Sequence, residues 1–180
     1  MNIIETTISG LKIIKPHVFS DERGYFMESF KSSDFSETTF IQDNESKSRK
    51  GVLRGLHFQM PPFAQTKLIR VTSGEILDIV VDLRYHSPTF GQFCSVTLNS
   101  DHKYQLLVPK GCAHGFRVLS QNATVNYKID APYRPEQERG LRFDDPILNI
   151  DWGETEGVIL SPKDRELPLF NPNDFQGILW

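Results

Sequence analysis

An all-β domain, a sandwich or closed barrel, is the fold class that this 180-residue sequence predicts. Three observations carry it. Apolar residues recur at period two in short runs, turn-forming residues separate the runs at even spacing, and helical patterning is confined to two short stretches. A chain of this length can bury a substantial core without disulfides or a structural metal, so one domain spanning residues 1–180 is expected.

In chain order, "ISGLKIIKP" alternates as a strand does, and "SSDFSETTF" offers an N-cap and a turn or two of helix. "VLRGLHFQ" is strand-like, with Gly55 at a plausible bulge position. "KLIRVTSG" is the next strand. In "EILDIVVDLR" Leu77, Ile79, Val81 and Leu83 share one face, while Ile76, Asp78, Val80, Asp82 and Arg84 share the other, so one face is mixed. "GQFCSVTLN", "QLLVPKG", "HGFRVLS" and "ATVNYKI" continue the series, with turns at Ser73-Gly74, Asn99-Ser100-Asp101 and Lys110-Gly111. "LSPKDREL" places Ser161 as N-cap with Pro162 at the first helical position. From Trp152 onward, prolines at 162, 168 and 172 break any long element, and this irregular tail is expected to wrap the domain.

The net charge is −3 and basic residues are scattered, which argues against a nucleic-acid footprint. The start lacks a basic region followed by a long apolar core, and no stretch approaches the roughly 20 apolar residues of a membrane span. The two cysteines, Cys94 and Cys112, form no CxxC motif or disulfide framework. A cytoplasmic protein that binds neither nucleic acid nor membrane is expected.

The chemistry centres on His57, which could be a metal ligand, a base or a packed core side chain. "PKGCAHGF" resembles the second motif of the cupin superfamily, with Pro109, Gly111 and His114 at matching spacing. Metal-binding cupins carry His-x-His and a glutamate earlier, whereas here the run is His57-Phe58-Gln59 and no glutamate follows until Glu75. Several donors must converge at about 2.0–2.2 Å to hold a divalent ion, and this set is missing. A lone strand histidine is most often structural. Arg54, Gln59 and Lys67 nearby change that balance, because a purely structural interior would have to desolvate them all, whereas a binding cavity would not. Strict alternation sets Arg54 and His57 on opposite faces unless Gly55 re-aims one of them.

Eight blocks in order, "DERGYFMESF", "QDNESKS", "VLRGLHFQ", "KLIRVTSGEILDIVVDLR", "SPTFG", "VPKGCAHGF", "NYKIDAPY" and "LSPKDRELP", resemble the dTDP-4-dehydrorhamnose 3,5-epimerases, a family of the cupin superfamily. The resemblance implies a cupin-type jelly roll with a few short helices, no metal and no cofactor. It also implies a reaction on a dTDP-linked 4-keto-6-deoxyhexose in which protons alpha to the ketone, at C3 and C5, are removed and returned to the opposite face. That chemistry needs a base, an acid across the ring and a cation or donor at the ketone oxygen.

By the matching positions, His57 is the base and Asp164 orients it; on spacing from Ser161 alone, Asp164 would read as support for a helix start. Lys67 matches the group near the ketone oxygen and Tyr127 the proton donor of the opposite face. Arg23, Phe26, Glu28, Gln42, Asp43, Asn44, Arg54, His114, Tyr133, Glu138 and Lys163 match or adjoin substrate-contacting positions, with Phe19, Phe26 and Tyr133 as aromatic partners for the nucleobase. The family's homodimers, in which N-terminal strands join the partner's sheet, imply that Arg23 and Glu28 serve the neighbouring subunit's site, and "ISGLKIIKP" is compatible with that role. Where the family often has a Tyr-Tyr doublet, this chain has Pro132-Tyr133, which leaves open inversion at one carbon only; a sugar-nucleotide-binding cupin without turnover is the other alternative.

Overall fold

The computed structural model describes residues 1–180. Its strands, in chain order, are β1 (Asn2–Glu5), β2 (Lys12–Lys15), β3 (Val18–Asp21), β4 (Gly24–Met27), β5 (Gln42–Arg49), β6 (Leu53–Gln59), β7 (Lys67–Ser73), β8 (Glu75–Asp82), β9 (Phe93–Asn99), β10 (Gln105–Val108), β11 (Cys112–Val118), β12 (Asn122–Ile129) and β13 (Glu138–Gly140). The one α-helix, α1, is Pro162–Arg165, and 3-10 turns occupy Ser32–Phe35, Pro135–Gln137 and Pro172–Phe175. Two antiparallel sheets result, with spatial orders β1-β2-β10-β7-β12-β5 and β13-β6-β11-β8-β9, while β3 and β4 pair only with each other. This is the two-sheet sandwich that the alternation predicts and the jelly roll that the family resemblance implies. No helix is long and apolar enough to cross a membrane.

The mixed strand "EILDIVVD" shows why the fold needs its tail. Ile76 and Val80 face the core between the sheets, with Ile69, Leu106, Phe116 and Val125. Ile79, Val81 and Leu83 face the other way, onto a second core with Leu141, Leu148, Trp152, Phe170 and Phe175 from the C-terminal segment. A strand apolar on both faces must be covered on both. The proline-broken tail supplies the second cover, and Asp145, itself buried, fastens it by accepting the Phe170 N–H at 2.6 Å.

One expectation is corrected. The segment Ser32–Phe35 is a 3-10 turn whose N-cap position is Lys31, with no side-chain cap, so no α-helix forms there. "ISGLKIIKP" contributes β2 to its own chain's sheet, where Ile13 and Ile14 pair with Leu106 and Gln105 of β10. The part of the N-terminus that stands apart is the β3–β4 hairpin, with Phe19 and Phe26 57% and 67% exposed. The strand β5, "QDNESKSR", has no apolar alternation because it is a sheet edge whose inward residues border a polar cavity.

Candidate active site

A cavity of about 690 Å³ opens between the two sheets. Gln42, Asn44, Lys67 and Tyr127 line it from one sheet, Arg54, His57, His114 and Glu138 from the other, and Tyr133, Lys163 and Asp164 from the flanking segments. The conflict between Arg54 and His57 is resolved at Gly55. In register His114 faces His57 while Phe116 faces Arg54, so β6 takes one residue more than β11 over the same length. That extra residue turns both side chains to the cavity. Gly55 has φ +115°, and a Cβ there would lie 2.5 Å from Gly115 Cα, so two glycines meet where the strands pinch together.

His57 Nε2 lies 2.7 Å from Asp164 Oδ1. With the carboxylate ionised, Nε2 carries the proton and donates, which leaves Nδ1 as the ring's accepting nitrogen. Asp164 serves its helix as well, since its N–H donates to Ser161 Oγ at 3.0 Å. Asp164 therefore makes both the helix-start contact and the contact with His57. Burial works against the Asp164 charge, but the hydrogen bond and charge of His57, with the Ser161 and Gly55 hydrogen bonds, keep its carboxyl below the usual range.

Across the cavity, burial pushes the Lys67 ammonium down to about 8, against the pull of Glu138 and Asp78. Burial also raises the Tyr127 phenol; the Arg54 charge opposes the rise and Glu138 adds to it. At the rim, Tyr133 donates its hydroxyl to Glu138 Oε2 at 2.8 Å and the Lys163 ammonium pairs with the same oxygen. Burial opposes ionisation of Glu138, yet those two bonds hold its carboxyl below the ordinary value.

The remaining expected residues divide cleanly. His114 borders the cavity and binds Asp78 through Nε2. Asp43 does not line it: alternation along β5 turns this side chain away from its neighbours Gln42 and Asn44, and it pairs with Lys128 at 2.6 Å. Arg23 is held by Asp21 on the exposed hairpin; neither it nor Phe26 nor Glu28 borders the cavity within one chain, and Glu28 lines a separate small groove. One residue was missed. Asp78 is a fully buried carboxylate whose only sequence signal was its place on the mixed face of β8. Gln59 is buried and committed to backbone, donating to the Phe63 and Pro132 carbonyls and accepting the Arg134 N–H, so it anchors the segment that bears Tyr133. No three His, Cys, Asp or Glu side chains converge as metal ligands would.

A jelly roll whose opposed sheets turn a carboxylate-bound histidine and a half-buried tyrosine toward one cavity is, as a class, a cupin-type protein. The sequence pattern of the dTDP-4-dehydrorhamnose 3,5-epimerase family matches residues 5–172, and the chain belongs to that family. A dTDP-4-dehydrorhamnose 3,5-epimerase of Escherichia coli (strain K12) is 48% identical over 172 residues, 93% of each chain. The crystal structure of the Legionella pneumophila Philadelphia 1 enzyme in complex with dTDP-4-keto-L-rhamnose superimposes with a TM-score of 0.90 at 49% identity, covering 93% of this chain and 92% of that one. More distant is a 3'-monoepimerase from Streptomyces bikiniensis in complex with dTDP-quinovose, with TM-score 0.86, 31% identity, and coverage of 91% and 85%.

Proposed function

We propose that this chain is a dTDP-4-dehydro-6-deoxy-D-glucose 3,5-epimerase that forms dTDP-4-dehydro-L-rhamnose. The observation that carries the reading is the placement of His57, bound to Asp164, and Tyr127 on opposite sheets facing one cavity that also holds Lys67. His57 takes the proton from the carbon beside the ketone. The C–H electron pair becomes the carbon–carbon double bond of an enolate, and the charge on the former ketone oxygen is met by Lys67. Tyr127 then returns a proton to that carbon from the other face, which inverts it. Once His57 has released its proton to solvent and Tyr127 has regained one from it, a second round at the other alpha carbon completes the reaction, and no electrons are gained or lost overall, so acid, base and cation suffice.

Arg54 and Lys163 suit the diphosphate, and Tyr133, 49% exposed at the rim, suits the nucleobase. Arg23, Phe26 and Glu28 enter the scheme through a homodimer in which N-terminal strands are exchanged and the free β3–β4 hairpin reaches the partner's cavity. Cytoplasmic residence is in keeping with the free thiols of Cys94 and Cys112.

The test is deuterium incorporation followed by NMR, with dTDP-4-keto-6-deoxy-D-glucose in D2O and His57→Ala as control. Exchange at both C3 and C5, lost in the variant, is the expected result. Exchange at one carbon would select the mono-epimerase reading, and binding with no exchange would overturn the epimerase reading for this substrate.

A further inference from the structure

Two imidazoles stand side by side in the cavity, since His114 on β11 is in register with His57 on β6. Each binds a carboxylate, and the second pair has no part in the scheme above. Asp78 on β8 is fully buried, and its two oxygens lie 3.0 and 2.9 Å from His114 Nε2, its sole hydrogen-bonding partner. A carboxylate in such a place is costly unless positive charge stands near it. Burial pushes the Asp78 carboxyl up; His114 opposes that rise, and so does Lys67, which stands on the opposite sheet and is itself drawn toward its charged form by Asp78. Yet the Lys67 ammonium has no carboxylate within ion-pair distance: Asp78 is taken up by His114 and Glu138 by Lys163. Its hydrogen-bond donors are thereby left for a ligand oxygen while the field of both carboxylates favours its charge.

We infer that Asp78 is a positioning residue for the proposed reaction: it fixes His114 through Nε2 and serves as the buried counter-ion that keeps Lys67 an ammonium without pairing with it. The role rests on the reading of Lys67 as the cation that meets the enolate. A direct Lys67–Asp78 ion pair would stabilise the lysine equally well but would compete with the developing oxyanion for the same donors. Held back on His114, the carboxylate biases the protonation state and leaves the donors unspent. The other titratable groups around the pair are His57 and Arg54 from β6, Tyr127 from β12, Glu138 from β13, and Cys94 from β9, whose thiol is pushed up by burial and by Asp78.

Asp78→Asn keeps the shape and an acceptor for His114 while removing the charge. The readout is the titration of the Lys67 side chain by NMR in the free protein, assigned with Lys67→Met, so that no turnover is required. The Lys67 midpoint is expected to fall by about one pH unit, and kcat/KM at pH 8 by up to about tenfold, with recovery as the pH is lowered and a smaller change in KM. A midpoint that does not move, or that rises, overturns the inference, because a merely structural carboxylate would leave it in place. Should Asp78→Asn fail to fold, the reciprocal measurement stands in: the Asp78 carboxyl midpoint rises in Lys67→Met if the two are coupled, and an unchanged value overturns the coupling. A shifted Lys67 midpoint in a protein that exchanges no substrate protons would uphold the counter-ion and reject the epimerase reading. Exchange with an unmoved midpoint would do the reverse.

Discussion

His57 and Asp164 are 107 positions apart in the chain and 2.7 Å apart at Nε2 and Oδ1. The contact is possible because the C-terminal segment, having covered the outer face of the five-stranded sheet, returns α1 to the cavity rim. The proposed base and the residue proposed to orient it thus come from the sheet and from its cover, so on that reading the packing of the tail is a condition for catalysis.

Asp164→Asn is expected to lower kcat by about 10²–10⁴-fold with the fold intact, since an amide can offer His57 the wrong group and reverse its tautomer. Stability supplies an independent check. The Asp164 carboxyl sits below its usual 3.8 in the folded protein, so its contribution is fully present above that value and is lost as the pH falls toward the depressed one. Urea midpoints of wild type and variant should therefore converge below about pH 4.

The pH dependence of kcat/KM should show an alkaline limb near pH 8, set by Lys67 in the free protein. The limb, with about 10²–10³-fold of activity, is expected to be missing in Lys67→Met. Because the folded value of about 8 lies below the usual 10.5, the unfolded chain binds more protons between those values. Wild-type stability relative to Lys67→Met should thus rise with pH through that window, and a falling urea midpoint would contradict it.

Gly55→Ala places a methyl group 2.5 Å from Gly115 Cα and 2.8 Å from the His114 carbonyl oxygen, at a residue with φ +115°. Backbone cannot yield as a flexible side chain can, so a loss of about 2–4 kcal/mol in urea unfolding is expected. Activity should fall further than stability accounts for, because the bulge is what turns Arg54 and His57 to the same side.

Much of this scaffold was legible in the sequence because burial imposed a period. In β8 the two faces read from alternation are the two faces found, and the mixed one carries Asp78 and Val80 inward. Ser161 and Pro162 likewise announced α1 through local capping chemistry. The edge strand β5 was invisible as a strand because its inward residues meet a polar cavity, which imposes no apolar period. Site residues were harder to read. Asp43 lies between two cavity residues and was assigned with them, although period two turns it outward. Asp78 showed only as a polar residue on a mixed face, and its link to His114 is a contact across strands that spacing in the chain does not encode. The β3–β4 hairpin pairs only with itself, so its own chain's sheets give no register from which its place could be read.

Phe170 is 4% exposed, stacks on Phe175 in the second core and meets Phe90 at a tilt. Phe170→Ala should cost about 3–5 kcal/mol by lost burial and the cavity left behind. If the tail holds Asp164 in place, the variant should also lose kcat at temperatures well below its melting point. Normal kcat in a folded but destabilised Phe170→Ala protein would show that α1 is held by its own contacts alone.

Tyr127→Phe separates proton removal from inversion. The substitution keeps the ring, which packs against the inter-sheet core, and removes only the hydroxyl. His57 and Asp164 remain, so a proton alpha to the ketone can still be taken and returned from the same side. Deuterium should therefore enter the recovered starting sugar while epimerised product falls by about 10²-fold or more, the loss typical of a general acid. That pattern would assign the second face to Tyr127. Loss of exchange and inversion together would mean that the phenol takes part in forming the enolate, and unimpaired inversion would move the acid to Tyr133 or to water.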